Sequence, residues 1–268
     1  VLHGLLRVRG FTQDDAHLFC RRSQLEEELA GILDFIRQVF RDFGFAQYRV
    51  EMSTRPPDFL GDQTQWKEAE EILSRVLREK EIPYGVSPGA GAFYGPKIDV
   101  HVKDCLGRYW QCATVQLDFV LPQRFKLEYV EADGRPAAPV MIHRAIFGSL
   151  ERFLGTLIEH HGGAFPIWLA PVQVMVIPLT EEQNAYGRQV AEGLRAAGIR
   201  VEVDERRQTL QARIRDAQME KVPYMLILGK REVQDQQVAV RARREGDLGG
   251  LSLRVFTERI LVEIQDKT

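Results

Sequence analysis

Two arginines two positions apart, Arg7 and Arg9, open a polar stretch that runs on through Phe11, Gln13, Asp14, Asp15 and His17. On a strand, alternate side chains share a face. The spacing would then turn two guanidinium forks toward an anion such as a triphosphate, with Phe11 beside them to stack on a base. The competing arrangement pairs one arginine with Asp14 or Asp15. A second cluster, His143 followed by Gly148, Ser149 and Arg152, closes the first half of the chain. There a strand, a turn and a helix could fold over the same ligand. Between the clusters, GAFYGPKID (91–99) sets Tyr94 and Lys97 among glycines that permit close backbone approach, or else forms an ordinary turn with an exposed lysine. Gln111 and Gln116 are five residues apart, so both reach one ligand only if a bulge interrupts their strand. His17 and His143 lie 126 residues apart and form no local zinc motif. Each alone reads more often as a packed or surface histidine than as a metal ligand.

The elements that must position these groups follow from periodicity. Residues 1–20 alternate apolar and polar, which predicts antiparallel strands. Leu25, Leu29, Ile32, Ile36, Val39 and Phe43 recur at helical spacing over 24–43, with Ser23 as expected N-cap. A second helix near 63–80 carries Trp66, Ala69, Leu73 and Leu77 on one face. YGPKIDVHV, RYWQCATVQLDF and FKLEYV predict a strand-rich meander punctuated by Gly, Pro and Asp. The first half, 1–168, is therefore expected to be an α+β domain, an antiparallel sheet flanked by helices, ending near FPIWLAP (165–171). The second, 169–268, alternates differently. Strands at 172–179, 200–204 and 224–229 and helices near 181–197 and 208–220 predict a small α/β domain with a mainly parallel sheet. A strand at 238–243 and a helix over 252–265 complete it.

Composition narrows the function classes. With 268 residues the chain can bury two cores. A formal net charge of −2 excludes a general polycation, so nucleic-acid contact requires a local patch. Such a patch exists between Arg206 and Arg244, where ten Lys/Arg face four Asp/Glu. It reads either as a solvated surface or as a face for phosphate and unstacked RNA bases. Cys20, Cys105 and Cys112 have no CxxC spacing, which favours a reduced, cytoplasmic compartment. No apolar run is long enough for a membrane span. The sequence begins without Met and in mid-pattern, as expected of the C-terminal part of a longer protein.

At these same residues the sequence resembles the bacterial threonyl-tRNA synthetases, class II aminoacyl-tRNA synthetases. The matching strings are RVRGFTQDDAH (7–17), STRP (53–56), GAFYGPKID (91–99), QCATVQLDF (111–119), MIHRAIFGSLERF (141–153), WLAPVQV (168–174), VPYMLILG (222–229) and VAVRARR (238–244). The resemblance implies a class II catalytic domain followed by an anticodon-binding domain. It implies activation of L-threonine by ATP with Mg2+, then transfer to the terminal ribose of tRNA(Thr). Arg7 would hold ATP phosphate, Phe11 would pack on adenine, and Arg152 would bind the far phosphates. Gln111 and Gln116 match positions near the nucleotide and adenylate. Gln13, Asp15, Tyr94 and Lys97 match the amino-acid side. Arg7, Lys97 and Arg152 are the implied catalytic set.

The family also implies a Zn2+ ion held by one Cys and two His, with His17 and His143 at the histidine positions. Asp15 would accept the threonine hydroxyl proton, a demand that valine cannot meet. The zinc cysteine of the family precedes Val1, and Cys20, Cys105 and Cys112 do not match it. The first motif, which builds the family's homodimer interface, and the Arg-x-Glu that leads its second motif also lie outside this stretch. These departures imply weakened zinc binding, dimerisation and activity for the stretch by itself. In the second domain Arg207, Arg215, Lys221, Glu232 and Arg241 match positions that face anticodon bases. Neither DNA nor membrane is an implied partner. Two rivals are a sister synthetase for another amino acid and a non-catalytic paralogue that binds RNA or regulates. The histidine pair with Asp15 speaks against the first, and Arg7, Lys97 and Arg152 speak against the second.

Overall fold

The structure is a computed structural model in which residues 2–268 are described. The chain divides into two compact units, residues 1–160 and 161–268. In the first, β1 (Ala16–Cys20), α1 (Leu25–Asp42), β2 (Tyr48–Ser53), α2 (Gln63–Glu79), β3 (Tyr84–Ser87), β4 (Lys97–Lys103), β5 (Tyr109–Asp118), α3 (Val120–Arg124), β6 (Tyr129–Val130), β7 (Pro136–Ala137), β8 (Val140–Ala145) and α4 (Leu150–His161) follow in order. The six-stranded sheet runs β1-β8-β5-β4-β2-β3. Its neighbours are antiparallel except β2 and β3, whose parallel pairing follows from the connection through α2.

Alternation along β4 and β5 divides the sheet into two faces. Ile98, Val100, Val102, Val115 and Leu117 are buried on one, together with Ile142 of β8. α1 contacts β5 there and lies beside α2. The expected helix residues Leu25, Leu29, Ile32, Ile36, Val39, Trp66, Ala69, Leu73 and Leu77 are buried, which supplies the main apolar drive for this layer. The opposite face carries the polar side chains.

Three local expectations give way in the folded chain. Of the described residues up to Cys20, only Ala16–Cys20 is a strand, so Arg7 and Arg9 do not share a strand face. The preceding stretch is instead held by long-range bonds: Arg152 Nε donates to Leu6 O at 2.9 Å, and the Thr12 amide donates to Glu151. Ser23 sits inside a 3-10 turn, Arg22–Gln24, and does not cap α1. Asp62 does cap α2, accepting from the amides of Thr64 and Gln65. FKLEYV is not a third meander strand. Phe125 ends α3, only Tyr129–Val130 pairs with β7, and β8 takes the place beside β5.

The second unit contains β9 (Val174–Pro178), α5 (Asn184–Ala196), β10 (Val201–Val203), α6 (Leu210–Met219), β11 (Tyr224–Leu228), α7 (Lys230–Asp235), β12 (Gln237–Ala242), β13 (Gly246–Ser252) and α8 (Leu253–Gln265). Its sheet runs β10-β9-β11-β12-β13. The first three strands are parallel and the last two antiparallel. β13 is an addition to the expected set, made possible by a turn at Gly246, whose φ is +80°. Residues 165–171 fold into this unit because Arg200 donates to the carbonyls of Trp168 and Ala170, and Ile167 joins the core of Val174, Val176, Leu226 and Phe256. Among the described residues no helix is long and apolar enough to cross a membrane.

Candidate active site

The polar face of the first sheet opens into a cleft of about 310 Å3. Arg7, Phe11, Gln13, Asp15, Tyr94, Gln111, Gln116, His143 and Arg152 all line it, joined by Thr114, Arg144 and Ser149. Residues from both ends of the first unit thus converge on one ligand-sized space.

The loop carrying Phe11 and Gln13 is docked by carboxylates. Asp14 does not pair with Arg7 or Arg9. Its two oxygens accept the amides of Ile146, Phe147 and Gly148 at 2.8–3.1 Å. Gly148 has φ +67°, and a Cβ there would stand 2.4 Å from the Cys112 carbonyl oxygen, so only glycine makes this turn. Arg152 follows one turn later. Its Nε and Nη1 are committed to the carbonyls of Leu6 and Gln111, and its guanidinium stands 5.7 Å from the Trp110 ring centroid. The Arg7 side chain, by contrast, has no hydrogen-bond or ion-pair partner among the described residues and remains available to an anion.

The question of the two glutamines is settled by a bulge. In the β4–β5 ladder Val100 pairs with Ala113 but His101 with Gln111, so Cys112 is the extra residue. Gln111 thereby joins Thr114 and Gln116 at the cleft. Gln116 accepts from the Tyr94 hydroxyl at 2.9 Å and donates to Gly95 O at 3.2 Å. Gly95 is itself obligatory, because a Cβ would meet the Leu117 carbonyl oxygen at 1.7 Å. Burial, then the charges of Asp118 and Asp15, push the Tyr94 phenol above its ordinary range and keep it a neutral donor. Burial pushes the Cys112 thiol up to about 12, so this sulfur stays protonated.

Lys97 is placed beside this group and is not an exposed turn lysine. It pairs across the ladder with Gln116, and its ammonium lies 2.7 Å from Asp99 Oδ2. His17 and His143 face each other directly in the β1–β8 register. Their ring centroids are 4.7 Å apart at an interplanar angle of 78°. His143 Nε2 is 3.0 Å from Asp118 Oδ2, while Asp118 Oδ1 accepts the amides of Val120 and Leu121. Asp118 is fully buried and fixed, so it orients the imidazole. Sequence reasoning offered Asp14 only as an arginine partner and missed Asp99 and Asp118. Their only local signal is position: Asp99 is two residues after Lys97 on one face, and Asp118 two after Gln116.

With this geometry in view, comparison with known proteins is decisive. Residues 1–161 match the family described as the tRNA synthetase class II core domain (G, H, P, S and T). The chain belongs to that family. Residues 173–263 match the anticodon binding domain family. Threonine--tRNA ligase of Caldanaerobacter subterraneus subsp. tengcongensis is 52% identical over 267 residues, covering 100% of this chain and 41% of its own length. The enzyme of the same name from Clostridium botulinum (strain Kyoto / Type A2) is 53% identical over 267 residues, with 42% of its length covered. The chain thus spans about two fifths of the curated relatives it matches. Among solved structures, the RNA binding domain of threonyl-tRNA synthetase from Cryptosporidium parvum Iowa II superposes with a TM-score of 0.93 at 39% identity, covering 97% of this chain and 66% of that one.

The five positions expected to face RNA come from separate pieces of the second unit. Arg207 follows β10 and pairs with Glu181. Lys221, at φ +59°, donates to Gly162 O. Glu232 accepts the Gly229 amide at 2.8 Å and so closes the start of α7. The side chains of Arg215 on α6 and Arg241 on β12 have no hydrogen-bond or ion-pair partner among the described residues. The five do not bond to one another. The most buried cation of the region, Arg213, was not singled out from sequence. It donates to the carbonyls of Pro178, Leu179 and Asp204, a structural use.

Proposed function

We propose that the chain carries the threonine-activating site and the anticodon-facing surface of a threonyl-tRNA synthetase. The observation that carries this reading is the convergence of Arg7, Arg152, Gln111, Gln116, Asp15 and His143 on one cleft, with His17 opposite His143. In the activation step a threonine carboxylate oxygen bonds to the α-phosphorus of ATP and pyrophosphate leaves. In the second step a hydroxyl of the terminal ribose of tRNA(Thr) attacks the acyl carbon and AMP departs. The enzyme's part is positioning and charge stabilisation. Arg7 takes ATP phosphate, and Arg152, braced by two carbonyls, takes the far phosphates with Mg2+ accompanying the nucleotide. Phe11, exposed at the cleft, packs on adenine. Gln111 and Gln116 receive the nucleotide and adenylate. Gln13, Asp15, Tyr94 and Lys97 receive threonine.

The residues present fit a zinc ion as two of its ligands. The hydrogen bond of His143 Nε2 to Asp118 leaves Nδ1 as the lone-pair nitrogen, the arrangement in which an outer carboxylate orients a metal-binding imidazole. Among the described residues no group of three or more His, Cys, Asp or Glu stands together to hold a metal. When bound, zinc supplies a Lewis-acidic point for the threonine amine and hydroxyl. Asp15 would accept the hydroxyl proton, so that valine would leave polar groups unpaired. A homodimer and a cytoplasmic location belong to the same reading, the latter supported by three free cysteines.

Threonine-dependent ATP–pyrophosphate exchange by the full-length protein, with metal analysis of the same sample, tests the proposal. Exchange with threonine and not valine, and loss of both zinc and exchange in His143→Ala with the fold intact, are the expected results. tRNA binding without any exchange would instead favour the non-catalytic paralogue, and unchanged exchange in His143→Ala would remove the metal role.

A further inference from the structure

The bulge at Cys112 has a buried partner. Asp99 is 5% exposed and lies on β4 opposite Thr114. Its two oxygens hold different side chains, the Oδ1 partners Gln111 and Thr114 lining the cleft and the Oδ2 partner Lys97 standing beside Gln116. Oδ2 receives the Lys97 ammonium at 2.7 Å. Oδ1 accepts from Gln111 Nε2 at 2.6 Å and from Thr114 Oγ at 2.9 Å, and Gln111 Nε2 also lies 2.9 Å from that hydroxyl. Without the extra residue, alternation would put Cys112 and Thr114 on one face and turn Gln111 to the other. The bulge therefore delivers Gln111 to the one buried carboxylate that already holds Lys97.

We propose that Asp99 is a positioning residue that couples the amino-acid side of the cleft to its nucleotide side, holding Lys97 with one oxygen and Gln111 with the other. This rests on the proposed assignment of Lys97 to threonine and Gln111 to ATP. The physical case is the cost of the alternatives. A long lysine and a glutamine each have several rotamers, and a ligand would otherwise have to freeze both. A carboxylate with little exposure cannot shed its three donors without a desolvation penalty, so it fixes both side chains before any ligand arrives. The two oxygens belong to one group on a central strand, so both arms share a single anchor while each is held by its own oxygen.

The two arms can be cut separately. Asp99→Asn keeps an oxygen for Gln111 and Thr114 but presents N–H to Lys97, which an ammonium cannot use. Thr114→Val removes the hydroxyl that braces Gln111 and leaves the lysine pair. Calorimetric titration of the protein with ATP and, separately, with L-threonine reads each arm. For Asp99→Asn the expectation is threonine affinity lower by about tenfold and ATP affinity within about threefold. Thr114→Val should reverse that preference. The Gln111 side-chain amide resonance should move in Thr114→Val and in Asp99→Ala. Both affinities within twofold of the parent in Asp99→Asn would overturn the coupling. So would equal losses of both ligands in the two variants, which is what general loosening gives. If the parent binds neither ligand, the proposed function fails instead, and a Gln111 amide unmoved by Asp99→Ala then sinks the carboxylate's hold by itself.

Discussion

Asp14, Asp99 and Asp118 brace the cleft of the first unit from behind, each accepting from two or three groups of distant or turn-forming segments. In the second unit the comparable anchor is Arg213, which serves backbone carbonyls only, while Arg207, Arg215 and Lys221 stand exposed. The contrast matches the ligands proposed for each. A small substrate caught at its reacting atoms needs donors fixed before it arrives, because errors of an ångström are costly. A tRNA surface needs cations that reach phosphate and base, at a strength that falls with salt.

The sharpest break of this comparison lies in the first unit. Arg152→Ala should cut ATP–pyrophosphate exchange by about 10²- to 10³-fold, the usual cost of deleting a preorganised charge-stabilising donor. A loss below tenfold would mean that the braced guanidinium does not meet the phosphates. Next in size is Arg213→Met, which leaves three carbonyls without their donor and should destabilise the second unit by about 2–4 kcal/mol in denaturant unfolding. A change under 0.5 kcal/mol, a marginal effect for any substitution, would show the anchor to be dispensable. The smallest effect belongs to the half-buried Arg241 of β12. Arg241→Ala should weaken tRNA charging by about tenfold or less, make its salt dependence shallower by about one phosphate contact, and leave adenylate formation intact. Equal loss of both steps would erase the division between the units.

Legibility differed along the chain for physical reasons. α1 and α2 were readable because Leu25 to Val39 and Trp66 to Leu77 repeat at a period that only a helix buries. Two strands of the parallel part of the second sheet were readable because they are continuous apolar runs, β9 with all five residues buried and β11 beside it. Residues 2–15 alternate just as well, yet they form no strand beyond isolated bridges, and the Leu6 carbonyl and the Thr12 amide are instead claimed by Arg152 and Glu151. FKLEYV failed likewise, because β8 takes the position beside β5.

From sequence alone came the residue types with the chemistry to hold phosphate, adenine and an imidazole-bound metal, and the helices and parallel strands whose burial is written in their own periodicity. Tertiary structure decided what no local pattern encodes: that His17 meets His143 across a ladder, that an extra residue at Cys112 turns Gln111 toward Asp99, and that buried aspartates fix the cleft. The reason is that register and bulges are set by pairing between strands far apart in the chain, and a shift of one residue sends every side chain to the other face.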